Sequence, residues 1–430
     1  MPDGLSGVIL NADQQRALEE IRASVRARRH HVLTGYAGSG KTTLMQRLAH
    51  ELDDIPGVYA AMSAPTHKAV SVLAKKNTSV VPCVTIDSLL SLKPRIVRDR
   101  QVFDRSKHAK PVTANVVIID ECSMIGEDRM GHIRRHLGHA AVIFVGDPAQ
   151  LPPVGEADSE TFDMPNKSHL DTIVRQGAGN PILDAADIIR KSQGKSADWS
   201  WCCSKNAPPV GVFNPGPNVN EWMAHAFTSE AFDADADNHR YLCWTNARVA
   251  EINSRVREWR YGAEAAKSPF AIGERALSRA PIVVDDEILL ATNEESTVLE
   301  IERADQTIQV PDDMTDGWSI KIPTWRMKLL RDNGEKLDVH LPDEAIFSRV
   351  VKRLADETRW KSYHEVKGQF ATLQAVYALT VHNSQGSTFR NVFLDCSEMR
   401  RWHRASLLEA QRGAYVAVTR ASHSVILAGA

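Results

Sequence analysis

No stretch of this chain stays apolar for the length that a bilayer requires, and its start, MPDGLSGVILNADQQ, lacks the basic segment and long apolar run of an export signal. A cytoplasmic protein is expected. The six cysteines, at 83, 122, 202, 203, 243 and 396, show no C-x-x-C spacing, and none pairs with a histidine at metal-ligand distance in sequence. They are expected to be reduced thiols. The net charge is only −2, which argues against a polycation over the whole surface and leaves room for a local basic groove. No internal repeat of fixed short period is present. What remains is a soluble globular composition, 43% hydrophobic and 25% charged, in a chain of 430 residues, long enough to predict two or more domains.

The strongest single signal is GYAGSGKTT at 35–43, between the apolar run HHVLT and the helical LMQRLAHEL. It fits G-x-x-x-x-G-K-[ST] with Gly35, Gly40, Lys41 and Thr42, and Gly38, Ser39 and Thr43 complete the bend. Glycines let the backbone turn its N–H groups inward around an anion, and the helix that follows points its positive end at the same place. Lys41 is expected on the β- and γ-phosphates of a nucleoside triphosphate and Thr42 on Mg2+. The loop alone does not say what the energy is used for.

Four apolar runs, at 30, 58, 114 and 141, alternate with helical stretches and end in polar segments, the pattern of a doubly wound parallel sheet with its ligands at the carboxyl ends of the strands. A second set, at 240, 375, 391 and 423, predicts another α/β lobe. Between its halves, from about 270 to 345, short β-rich segments with charged turns suggest a small barrel, followed by a helical stretch to about 370. The predicted divisions are 1–90 and 114–178 for the first lobe with a hairpin at 91–113, and 179–269 and 375–430 for the second lobe with an insertion at 270–374.

VVIIDECSM puts Asp120 and Glu121 at the end of a buried strand, where one carboxylate can hold a metal and its neighbour can orient an attacking water. FVGDPAQLPPV carries Asp147 and Gln150 into a loop stiffened by Pro148, Pro152 and Pro153. Such a loop suits a γ-phosphate sensor, although a plain proline-rich turn fits the residue types equally. At 91–112, seven Lys/Arg against two Asp suit a hairpin projecting toward a phosphate backbone, with Phe103 near the tip; a solvated loop is the alternative. Trp244, Trp360 and Trp402 suit either base stacking or core.

The order LNADQQRAL, GYAGSGKTT, SAPTHKAV, TIDSLL, IIDECSM, GDPAQLPPV, TIVRQ, TVHNSQGST, VAVTRA resembles the superfamily 1 helicases, especially the RecD-like branch with phage Dda-type helicases, over nearly the whole chain. The resemblance implies two RecA-like parallel-sheet lobes with an inserted β-hairpin and an inserted SH3-like β-barrel. It implies ATP and Mg2+ as cofactors, and a monomeric motor that translocates on single-stranded DNA, 5′ to 3′, and separates forked duplex DNA. Through it Gln14 reads the adenine, although Asn11-x-x-Gln14 is also a capping-box pattern and both roles stay open. Gln150 senses the γ-phosphate, Gly386 joins the nucleotide site, and Arg175 and Arg420 act as arginine fingers. Pro65, Thr66, His67, Thr85, Thr380, His382 and Ser384 match the segments that contact the DNA strand. Two departures remove possible positive contacts: Asp87 stands where the family usually has His, and Asn383 where it usually has Lys.

Overall fold

The computed structural model describes residues 10–97, 100–106, 108–172, 180–192, 210–284, 287–310 and 318–429. Arg175, Cys202 and Cys203 lie outside them. The chain forms two compact units, one of Met1–Met223, Asp237–Asn246 and Leu379–Ala430, the other of Ala224–Ala236 and Ala247–Ala378.

In chain order the first unit opens with α1 (Ala12–Arg26), β1 (His31–Gly35), α2 (Lys41–Asp53), β2 (Ala60–Ala64), α3 (His67–Lys76), β3 (Cys83–Thr85) and α4 (Ile86–Leu90). A hairpin of β4 (Leu92–Val97) and β5 (Arg100–Arg105) follows, then β6 (Val116–Ile119), α5 (Glu127–His136), β7 (Ala141–Gly146) and β8 (Lys167–Leu170). Apart from the hairpin these strands make one parallel sheet ordered β3-β2-β6-β7-β1-β8. A parallel strand is covered on both faces, so its apolar run is continuous while alternate residues serve different cores. Val116, Ile118, Ile143 and Val145 join Leu18, Leu44 and Leu73 of α1, α2 and α3. Val117, Ile119, Val142 and Phe144 join Ile133 of α5 on the other face.

Next come α6 (Pro181–Lys191), β9 (Gly211–Phe213), α7 (Val219–Phe227), α8 (Glu230–Ala234), β10 (His239–Cys243) and α9 (Asn246–Tyr261). The second unit holds β11 (Arg275–Ser278), β12 (Ile282–Val284), β13 (Glu287–Leu290), β14 (Glu295–Val310), β15 (Trp318–Arg331), β16 (Lys336–Pro342), α10 (Glu344–Asp356), α11 (Trp360–Gly368) and β17 (Leu373–Ala375). The chain then returns through β18 (Ala378–Thr380), β19 (Phe389–Asp395), α12 (Cys396–Ala405), α13 (Leu407–Thr419) and β20 (Ala421–Ala428) to complete a second sheet, ordered β18-β10-β19-β20-β9.

In three places the structure differs from the sequence expectation. The inserted β structure is an antiparallel sheet ordered β16-β15-β14-β11-β17 with a separate β12-β13 pair, and no pairing among the described residues closes it into a barrel. Apolar residues of α10 and α11, Leu354 and Val366, pack with Ile308 and Ile322 of the long β14-β15 hairpin, so helices cover part of the face that closure would hide. The single helical stretch after it is two helices, because Thr358 takes φ +55° between them. Helix α9, expected within the second lobe, belongs almost wholly to the antiparallel unit.

Candidate nucleotide site and strand-contact surface

β1 lies between β7 and β8 in the first sheet and delivers the chain into the glycine-rich bend. A Cβ on Gly35 would fall 2.6 Å from Ser39 Oγ and 3.1 Å from Leu170 Cβ, so any other residue there would force both neighbours to shift. Gly38 and Gly40 both have φ +84°, a conformation that L side chains rarely adopt, and Gly40 stands at the start of α2. Lys41 Nζ donates to Gly35 O and, at 3.0 Å, to Tyr36 O, which keeps the ammonium over the bend. Thr42 and Thr43 are half-buried in the first turn of α2. Gln14 forms the reciprocal capping box with Asn11, and its Nε2 donates to Ser39 O at 3.3 Å. The capping role is therefore present, and the same amide ties α1 to the bend.

Directly after β6 come Asp120, whose backbone N donates to Ser63 O of β2, and Glu121, which takes φ +53°. A left-handed non-glycine residue stores strain that the surrounding structure must hold, a feature concentrated at functional positions. Burial, with the neighbouring Glu121 carboxylate, pushes the Asp120 carboxyl up to about 7, against the Glu121 N–H, Lys41 and Lys76. A carboxyl so short of positive charge is chemically suited to a divalent cation. Arg420, at the carboxyl end of α13, brings Nη1 to 4.0 Å from Glu121 Oε1 and donates from the same atom to Ser387 O at 3.1 Å. Gln150 is buried and its Oε1 has no hydrogen-bond partner among the described residues, and neither has Ser39 Oγ. A backbone cradle closed to Cβ atoms, two orphaned buried oxygens and a carboxyl starved of cations together fit a nucleotide's phosphates with a divalent metal.

Two family models match the chain: an AAA domain over residues 9–200 and a UvrD-like helicase C-terminal domain over residues 375–428. The first spans the phosphate bend, the second β18 to β20 with Arg420. The ATP-dependent DNA helicase Dda of Enterobacteria phage T4 is 24% identical over 97% of this chain and 98% of its own. The chain is similar along its length to the superfamily 1 helicases of the RecD/Dda-like branch. The ATP-dependent RecD2 DNA helicase of Deinococcus radiodurans is 33% identical over 40% of this chain and 24% of its own. A Bacteroides Pif1 crystal structure bound to single-stranded DNA covers 97% of this chain and 92% of its own, with a TM-score of 0.52 at 20% identity, a likeness of fold.

In this chain the residues expected on the DNA strand fall into two groups. Thr66 and Thr85 each cap a helix, accepting from Ala69 N at 3.2 Å and from Ser88 N at 3.0 Å, with Pro65 and His67 on either side of Thr66. Thr380 accepts from Asn383 N at 3.3 Å. Ser384 is 0% exposed and donates to Val381 O at 2.7 Å, so its hydroxyl is committed to the turn and does not face a strand. Gly386, expected at the nucleotide, lies against α3: at φ +74° a Cβ on it would fall 2.8 Å from Ala69 Cβ. His382 packs on the Trp402 ring, centroids 5.1 Å apart, and pairs with Glu409 at 3.6 Å, while burial lowers its pKa. Trp402 is fully buried and stacks on Trp244 at 5.7 Å with planes 6° apart; Trp360 is an exposed residue of the other unit.

Phe103 is not near the hairpin tip. The register pairs Val97 with Arg100 and Pro94 with Phe103, which puts Phe103 down the strand from the last pair, Val97 with Arg100. There its N donates to Asp128 Oδ2 at 3.1 Å, its O lies 2.9 Å from His132 Nε2, and the Arg129 guanidinium covers its ring at 4.3 Å. All three partners are on α5. Arg129 also makes a bidentate pair with Asp87 at 3.0 and 3.1 Å, so the first departure from the family pattern has an occupation: it braces the hairpin's root.

Sequence reasoning missed Tyr415 and Gln385. Tyr415 OH donates to Asp147 Oδ2 at 2.6 Å and accepts from Ala37 N at 2.9 Å, and Gln385 Nε2 donates to Leu151 O at 3.2 Å. The only signal was that Gln385 lies within TVHNSQGST and Tyr415 directly before VAVTRA, since their partners are hundreds of residues away.

Proposed function

We propose that this protein hydrolyses ATP to move along single-stranded DNA, 5′ to 3′, and to part duplex DNA at a fork. The observation that supports the reading best is the approach of Arg420, from the second sheet, to Glu121, at the end of a strand of the first. An arginine that reaches the water-orienting carboxylate only when two lobes meet makes hydrolysis depend on their relative position, as a motor requires. Lys41 is the cation for the β- and γ-phosphates, Glu121 orients the attacking water, Gln150 senses the γ-phosphate, and Arg420 stabilises charge in the transition state. Arg175 is proposed as the second finger. Thr42 and Asp120 are the residues that would hold Mg2+, whose charge offsets that of the phosphates.

The strand is assigned to the loops at Pro65–His67, Thr85, Thr380 and His382, with base-independent contacts. The T4 and Deinococcus relatives are named as ATP-dependent DNA helicases, which favours DNA as the track. Polarity rests on likeness to the RecD-like branch, as does the reading of the antiparallel unit as the counterpart of an SH3-like module. The test is unwinding of duplexes carrying a 5′ or a 3′ single-stranded tail, with Lys41→Ala as the control and ATPase measured on poly-dT and poly-U. Opening of the 5′-tailed duplex alone, abolished in Lys41→Ala, is expected. Preference for the 3′ tail overturns the polarity, stronger stimulation by poly-U overturns the choice of DNA, and ATPase without strand separation overturns the motor.

A further inference from the structure

We propose that Tyr415 is a positioning residue that sets the phosphate bend and the Gln150 loop from the same helix that carries Arg420. This rests on the ATPase reading above. The phenol oxygen stands between two parts of the first lobe. It accepts from Ala37 N, inside the glycine-rich bend, at 2.9 Å, and donates to Asp147 Oδ2 at 2.6 Å, the short distance of a hydrogen bond to an ionised oxygen. Asp147 in turn shapes the loop beyond β7, since its other carboxylate oxygen accepts from Ala149 N at 2.9 Å and its carbonyl accepts from Gln150 N at 3.1 Å. Tyr415 is 2% exposed and Asp147 0%, so water does not replace either bond if the phenol is withdrawn. Burial, with the Asp147 charge, holds the phenol far above its ordinary pKa and keeps its proton available for donation.

Five residues further along, α13 ends at Arg420, which faces Glu121. One rigid helix therefore presents an arginine to the water-orienting carboxylate and a hydroxyl to the two loops that hold the rest of the phosphate machinery. Displacing α13 breaks all three contacts at once. Arg420 governs charge, and Tyr415 governs where Ala37 and Gln150 stand.

Tyr415→Phe removes one oxygen and leaves the ring packed. In DNA-stimulated ATPase assays its kcat is expected to fall at least about tenfold, the scale of one lost hydrogen bond to a charged group, while the KM for ATP changes less than about threefold. Gln150→Ala is measured alone and combined with Tyr415→Phe. If the tyrosine acts through the Gln150 loop, the double variant loses little more than the worse single one. Full turnover in Tyr415→Phe, a loss confined to KM, or losses that multiply in the double variant would overturn the assignment. Absence of ATPase in the wild-type protein would instead overturn the function on which it rests.

Discussion

Two helix-interior glycines offer a stringent trial of the packing, because the same substitution should act in opposite directions. Gly413 lies in α13 and Gly131 in α5. Alanine favours either helix by about 1 kcal/mol over glycine, whatever surrounds it. A Cβ at 413 would fall 2.2 Å from Trp402 Cζ3 and 2.4 Å from Cη2, whereas at 131 it meets nothing within 4 Å. Ordinary carbon contacts need about 3.5–4.0 Å, so at 413 something must move by more than about 1 Å. The indole has little freedom to do so, being fully buried and flanked by Trp244 at 5.7 Å and His382 at 5.1 Å. Overpacking of this kind costs roughly 1–3 kcal/mol. Taking the upper end for so short an approach and subtracting the helix gain leaves Gly413→Ala destabilised by about 2 kcal/mol, against a gain of about 1 kcal/mol for Gly131→Ala. Denaturant midpoints followed by circular dichroism measure both, and fluorescence anisotropy on labelled oligo-dT shows whether moving Trp402 also disturbs His382 and weakens DNA binding. Equal stability of the two variants, or a gain at 413, would refute the placement of Trp402 against α13.

Glu121→Gln should bind ATP and single-stranded DNA as the wild type does and turn over at least about a hundredfold more slowly in a phosphate-release assay. Near-normal turnover would move the water-orienting role elsewhere. Arg420→Ala should reduce kcat more than ATP affinity, as expected of a group engaged mainly in the transition state; weaker affinity at unchanged maximal rate would contradict that role. Phe103→Ala and Arg129→Ala remove opposite sides of one contact at the hairpin root, so both should weaken unwinding to a similar degree and leave DNA-stimulated ATPase largely intact. An effect of Phe103→Ala alone in a gel-based unwinding assay would return Phe103 to a role as a wedge against the bases.

How much of this was readable in advance depended on whether the determining partner was near in sequence. The strands β1, β2, β6 and β7 are continuous apolar runs that end in motifs, and a buried parallel strand has no other way to look. β8 and β9 have no such signature. Lys167–Leu170 and Gly211–Phe213 are three or four residues long, and become strands through backbone pairing with β1 and β20. The hairpin was legible from its charge pattern, but the position of Phe103 within it depended on where the turn fell, and a shift of a few residues separates a tip from a root. The inserted segment read as β structure with charged turns, which it is, but β14 and β15 run far longer than the short strands expected, and closure is a property of strand order, which local pattern does not encode.

The same distinction separates the chemistry into a local part and a relational part. Gly35, Lys41, Asp120 and Glu121 announce themselves because a phosphate cradle and a strand-end pair of acids are built from neighbours in the chain. Asp87 and Tyr415 do not. Read alone, Asp87 is a lost positive contact; beside Arg129 and Phe103 it is the outer member of a brace that joins α4, α5 and the hairpin. Tyr415 is one more buried aromatic until its oxygen is seen between Ala37 and Asp147, 378 and 268 residues away. Local motifs can supply each lobe with reactive groups, but a motor also needs those groups to register where the other lobe is. That information has to be carried by residues whose partners lie far off in the chain, and on the reading proposed above α13 carries it, with Tyr415 bonded to Ala37 and Asp147 and Arg420 at its carboxyl end beside Glu121.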